Sequence, residues 1–146
     1  MKIEELNPFI RYASMHQTYY PQKENSVCYD CRLFYVVEGD GTFFVDNQKY
    51  RVSQGFSAFL PPETHYRFIF SSYDSVKIYV LNFDLTDRFY AFPKSLGTAT
   101  ESNFNKQKVL HYTIPEDFNE AIILTNGLFM RNYIADCVDL FLQKIA

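Results

Sequence analysis

The sequence contains no tryptophan, three cysteines, three histidines and five glycines, and nowhere a run of lysine and arginine. Each scarcity removes a class of protein. No stretch approaches the ~18 consecutive apolar residues that a membrane-spanning helix needs. The opening Met1-Lys2-Ile3-Glu4-Glu5-Leu6 lacks the apolar centre of a secretory signal. An odd cysteine count without such a signal argues against a disulfide framework and makes the cytoplasm the expected location. A net charge of -3 with no basic cluster leaves nucleic-acid binding by this chain alone unsupported. His16, His65 and His111 form no His-x-His pair and have no carboxylate in register, so metal chemistry or a histidine acid–base pair has little to build on.

What is abundant is aromatic. The 146 residues are 47% hydrophobic, and 15 Phe and 12 Tyr make the chain 18% aromatic. That length and composition suit one domain with a substantial core, and Phe and Tyr favour strands. Between Cys31 and Phe68 short runs of β-branched and aromatic residues alternate with turn formers. Leu33 to Val37 stops at Glu38-Gly39-Asp40-Gly41, and Thr42 to Val45 stops at Asp46-Asn47. Lys49 to Val52 stops at Ser53-Gln54-Gly55, Phe56 to Leu60 stops at Pro61-Pro62, and a further run begins at His65. This is the pattern of an antiparallel meander closing into a sandwich or small barrel.

Around the meander, residues 1–20 read as an arm and a first strand, and Pro21 to Ser26 as a polar loop. Val76 to Phe83 (VKIYVLNF) is nearly all apolar apart from Lys77 and Asn82, which predicts a strand buried on both faces. Asp84 to Lys108 reads as a long surface loop, Val109 to Ile114 as a strand, and Phe118 to Leu124 fits no single pattern. Asn126 has the character of a helix N-cap. Behind it Met130, Ile134, Cys137, Val138, Phe141, Leu142 and Ile145 fall at helical spacing, which predicts one amphipathic helix. The expected division is a β-barrel with its arm over residues 1–124 and a C-terminal helix over 125–146.

The run Arg32-Leu-Phe-Tyr-Val-Val-Glu-Gly-Asp-Gly41, with Gly55 and Pro61-Pro62-Glu63-Thr64-His65, resembles the cupin double motif. More closely it is similar to the N-terminal sensor domain of AraC-type transcription regulators. Asn82-Phe83-Asp84-Leu85, Ile114-Pro115 and Phe118-Asn119-Glu120-Ala121-Ile122 extend the likeness toward the C-terminus. The resemblance implies a mainly β fold, a cupin-like double-stranded β-helix or jelly-roll barrel, followed by an amphipathic α-helix. It also implies that a second helix and a helix-turn-helix DNA-binding domain belong to a longer regulator. In metal-binding cupins the first motif supplies two His and a Glu that lies seven residues before the Gly. Here the Glu position is Arg32, and of the four-ligand set only His65 remains. A guanidinium has no free lone pair for a metal, so no metal and no other cofactor is expected.

Arg32 is the central candidate. It shares a strand face with Phe34 and Val36. If that face is internal, Arg32 either grips a ligand carboxylate, phosphate or hydroxyl, or pairs internally with Glu38, Glu63 or Asp30. His65 and Arg67 lie on one side of a later strand; they add a second polar wall to the pocket, or serve the turn and the solvent. Tyr19 and Phe34 complete the candidate ligand site, and Tyr12, Tyr35, Tyr66 and Tyr79 could stack on a sugar ring or pack in the core. Cys28-Tyr29-Asp30-Cys31 is a C-x-x-C beside a strand, where residues three apart point to opposite faces, which disfavours a redox pair.

The expected function is therefore sensing of a small polar effector, a sugar or an organic acid, by one half of a homodimeric regulator. That half would meet DNA only through the further domain, would not touch a membrane and would catalyse nothing. The alternatives are a cupin-fold enzyme, such as a sugar isomerase, epimerase or metal-dependent oxygenase, and an assembly module whose interior is filled by aromatic rings.

Overall fold

The structure, a computed structural model, describes residues 6–89, 97–109 and 118–125. The chain is mainly β. Its strands are β1 (Phe9–His16), β2 (Ser26–Cys28), β3 (Cys31–Glu38), β4 (Gly41–Val45), β5 (Gln48–Val52), β6 (Ser57–Leu60), β7 (His65–Phe70), β8 (Lys77–Asp84), β9 (Thr98–Thr100) and β10 (Ile122–Leu124). They form two five-stranded antiparallel sheets. The first runs β1-β8-β3-β6-β10 and the second β5-β4-β7-β2-β9. Among the described strands only β4 and β5 form a hairpin within one sheet; every other connection leads from one sheet to the other, which replaces the expected meander by two face-to-face sheets that share one core.

Turn chemistry fixes the registers. Val45 pairs with Gln48 across a two-residue turn in which Asp46 and Asn47 have φ of 42° and 68°. Both residues tolerate the left-handed region, and this turn matches the twist of the strands it joins. Gly41 starts β4 against β7, and a Cβ there would lie 2.1 Å from the carbonyl oxygen of Ile69. Only a residue without a side chain lets those two strands approach so closely.

The interior is aromatic. Phe34 on β3, Phe43 on β4, Phe56 just before β6 and Phe68 on β7 are all buried, and the Phe43 and Phe68 rings lie 4.5 Å apart. Along β7 the buried residues are Tyr66, Phe68 and Phe70, so His65, Arg67 and Ile69 face outward. A second small cluster sits on the opposite face of the first sheet, where Tyr35 and Tyr79 pair in register and pack with Val37 and Leu81. Two-sided burial at Ile78, Tyr79 and Val80 explains why VKIYVLNF reads as an unbroken apolar run.

Two sequence readings need correction, and a stretch that fits no single pattern takes a definite form. Asp84 to Lys108 is not one loop, because Thr98–Thr100 forms β9 and pairs with β2. Ser26, read as loop, opens β2 for the same reason: it is paired on both sides, with Tyr66 and Thr100. Ile122–Leu124 becomes a strand by pairing with β6. In each case a segment of only a few residues takes its form by pairing with a neighbouring strand. The helix expected over 125–146 and nearly all of the strand expected at Val109–Ile114 lie outside the described residues. Among the described residues the helical turns are three-residue 3-10 segments at Asp87–Phe89, Glu101–Asn103 and Lys106–Lys108.

Candidate functional site

A cavity of about 300 Å³ opens between the sheets, and Arg32, Phe34 and Tyr19 line it together with Tyr66 and His16. Sequence and register explain why Arg32 is there. Arg32, Phe34 and Val36 alternate onto the inner face of β3, and Arg32 pairs with Leu60 on one side and Asn82 on the other. The side chain is partly buried, and two neutral groups hold it. Its Nε donates to Asn82 Oδ1 at 2.9 Å, and its Nη1 donates to the Tyr66 phenol at 2.6 Å. The guanidinium also stands 5.6 Å from the centre of the Phe34 ring.

No carboxylate neutralises it among the described residues. Glu38 is exposed at the end of β3, and Glu63 forms an ion pair with Lys106 instead. Asp30 is fully buried, but its Oδ2 accepts from the Gly97 backbone N–H at 3.3 Å and its Oδ1 has no partner. Burial pushes the Asp30 carboxyl up to about 7, against the opposing influence of the Arg32 charge. The cavity wall is thus electropositive: one permanent cation, hydroxyl and amide groups, aromatic faces and no acid.

Tyr19 caps the cavity from the segment after β1. Its ring packs edge-on against Phe68 and Phe70 at 5.7 and 5.3 Å. Gln22 braces the same wall: its Nε2 donates to Ser26 Oγ at 2.8 Å and its Oε1 accepts from the Phe68 backbone N–H at 3.2 Å. Burial raises the phenols of Tyr19 and Tyr66, so both remain neutral hydrogen-bonding groups.

His65 and Arg67 are not in this cavity, which corrects the expected second polar wall. Both lie on the outer face of β7, where they border a separate open groove with Phe44, Lys49 and Glu101. His65 Nδ1 is 2.6 Å from Glu101 Oε1 and the pair is solvent-exposed, while Arg67 stands over the Phe44 ring at 5.4 Å. The physical reason is alternation. Aromatic residues at Tyr66, Phe68 and Phe70 claim the inner face, and the intervening polar positions must point away. The same pattern, legible in HYRFIF, puts Tyr66 on the inner face, where it meets Arg32. Asn82, the one amide in an apolar strand, is the second partner that sequence reasoning passed over.

Cys28 and Cys31 are both buried, and burial pushes the Cys28 thiol well up, away from a reactive thiolate. Among the described residues no group of three or more His, Cys, Asp or Glu gathers as a metal site would require. No helix among them is long and apolar enough to cross a membrane.

With this geometry in hand, comparison with known proteins places the core of the chain. Residues 29–82, from the end of β2 into β8, match the family model described as the cupin domain. Arg32, Tyr66 and Asn82 all fall within that span. In fold, nine chains of solved structures match. One is apo ToxT K231A from Vibrio cholerae strain SCE256, similar at a TM-score of 0.44 and 11% identity over 92% of this chain and 46% of that one. The chain therefore spans about half the length of that protein. No curated protein sequence matches.

Proposed function

We propose that this chain is the ligand-sensing and dimerisation module of an AraC-type transcription regulator. A small polar metabolite, an organic acid or a sugar, binds in the cavity with its polar group on Arg32. Binding then biases how a homodimer presents DNA-binding domains carried elsewhere on the regulator. The thermodynamic basis is differential affinity for two arrangements, and catalysis plays no part. In this reading the protein works in the cytoplasm and meets DNA only through that further domain.

The observation that carries the reading is the state of Arg32. A guanidinium partly withdrawn from water and held only by neutral groups keeps its charge available. It stands at the wall of a cavity of about 300 Å³, the size of a small metabolite. Asn82 and Tyr66 fix its plane, so an incoming carboxylate finds donors already aimed. The cupin match over 29–82 and the order of the sequence motifs support the family assignment.

Calorimetric titration with glucose, glucuronate and butyrate, for the wild type and Arg32→Met, tests this. The acids should bind, and Arg32→Met should abolish that binding while urea denaturation shows the variant folded. Acid binding unchanged in the variant would remove Arg32 from the site. Stoichiometric iron, manganese or zinc in the purified protein would favour the cupin-enzyme alternative instead.

A further inference from the structure

The cavity holds a second basic side chain. His16, the last residue of β1, lines it with Arg32, and its Nε2 is 2.9 Å from Ser14 Oγ. Strand register fixes how far apart the two bases stand. Tyr12 pairs with Asn82, which pairs with Arg32, so these three make one row across the sheet. His16 pairs with Ile78, which pairs with Val36. His16 is thus two strands across and four residues along from Arg32, a diagonal of about 16 Å between Cα atoms by strand spacing and rise. The guanidinium is tied back to its own row by Asn82, and the imidazole is tied to Ser14. The two bases are thus anchored on separate rows of one cavity wall, and two carboxylates joined by a short chain can meet both.

We propose that the cavity takes a small diacid, with one carboxylate on Arg32 and the other on His16, and that His16 sets the preference for two acid groups. This rests on the reading of Arg32 given above. The titratable and charged groups facing His16 are Arg32 on β3, Tyr12 on its own strand, Tyr19 on the segment after it and Tyr66 on β7. Its neighbouring strand β8 offers Ile78 and Val80, and no carboxylate lines the cavity. Burial first, and then the Arg32 charge, lower the His16 pKa, so the imidazole is neutral while the cavity lacks an acid. A second carboxylate supplies the missing counter-charge. His16 then takes a proton from solvent, and the protonated ring donates to the carboxylate.

Titration of the chain with succinate and glutarate, against butyrate as the monoacid, tests this at about pH 6.5, near the ordinary histidine pKa. The diacid that fits should bind about ten- to a hundredfold tighter than butyrate, the worth of one charge-assisted hydrogen bond. His16→Gln should erase that advantage and leave butyrate binding in place. Heats measured in two buffers of different ionisation enthalpy should show proton uptake on diacid binding to the wild type and none in His16→Gln. His16→Asn serves as a second variant, with urea denaturation as the check on folding. Diacid and monoacid binding equally, or a preference that survives both variants, overturns the role of His16 and leaves Arg32 standing. Absence of binding by any acid to the folded wild type overturns both.

Discussion

Arg32 on β3 reaches across the interior to Tyr66 on β7, and 2.6 Å separates Nη1 from the phenol oxygen. One side chain of the first sheet is thereby tied to one of the second at the wall of the cavity. Thr98 on β9 lines the cavity beside the same phenol, which brings a third strand to this wall. The cavity-facing charge and the junction between sheets are the same group, so an anion drawn to Arg32 would act directly on how the sheets meet.

Tyr66→Phe isolates that link. The ring keeps its packing against Phe34 and Phe43, whose centres lie 5.3 and 6.1 Å away. The hydroxyl that accepts from Arg32 is lost. A hydrogen bond to a charged group is worth about 1.5–3 kcal/mol, so urea denaturation should show a stability loss of that order. A midpoint equal to that of the wild type would mean that water replaces the phenol at no cost.

Much of this arrangement is legible in the sequence, and the limits are physical. The five runs from Leu33 to Phe68 announce the strands because turn chemistry is local: Asp46-Asn47 and Gly41 carry their own backbone requirements. Alternation then places Arg32 with Phe34 on the inner face. His65 and Arg67 read equally well as a pocket wall or as solvated strand residues, and the aromatic residues alternating with them decide the face. β9 and β10 are legible only through their partners, since three-residue segments carry too little pattern of their own. Which polar group meets Arg32 is a matter of the distance between sheets, and no spacing along the chain encodes it.

The wall of the cavity formed by β1 depends on a buried ion pair. Arg11 Nε and Nη2 both reach Asp84 Oδ2, at 2.8 and 2.5 Å, with side chains 1% and 0% exposed. The pair joins the edge strand β1 to β8 beside Tyr12. Removing one partner deprives a buried charge of its counter-ion, so Asp84→Ala should destabilise by about 3–5 kcal/mol. Combining it with Arg11→Met should cost less than the sum of the two single changes, because the second removes the charge the first abandoned. Additive losses in urea denaturation would show that the two side chains act independently.

Asp30 gives a pH dependence of defined sign. Its folded value is up to about 7, above the ordinary 3.8, so the folded state binds its proton more tightly than the unfolded state does. Stability from this group is fully present below 3.8 and is lost as pH rises through about 7. The slope for one group cannot exceed about 1.4 kcal/mol per pH unit. Asp30→Asn keeps an oxygen for the Gly97 N–H and removes the titration. Denaturation midpoints between about pH 5 and pH 8 should therefore fall less steeply for the variant than for the wild type. Parallel profiles would assign the pH dependence to other groups.

Gly41 tests whether the closeness of β4 and β7 is required for the cavity. Gly39 before it needs a glycine for its backbone, with φ of 136°, whereas Gly41 needs one for space. An added Cβ at Gly41 meets backbone on three sides of the contact: the Ile69 oxygen at 2.1 Å, Phe70 Cα at 2.8 Å and the Ile69 carbonyl carbon at 3.0 Å. Backbone in a paired strand cannot swing aside as a flexible side chain would. β7 must shift as a unit, and it carries Tyr66, Phe68 and Phe70 into the core. Gly41→Ala should therefore cost about 3 kcal/mol, the upper part of the range for overpacking. It should also weaken acid binding by displacing Tyr66 from Arg32, although Gly41 touches neither the cavity nor its ligand. Gly39→Ala meets only side-chain atoms, the closest at 3.4 Å on Phe70, so its strain is local to the turn and acid affinity should hold. Measuring both variants by urea denaturation and by titration with butyrate separates the two effects. Equal acid affinity in Gly41→Ala and the wild type would show that the position of β7 does not set the geometry of Arg32.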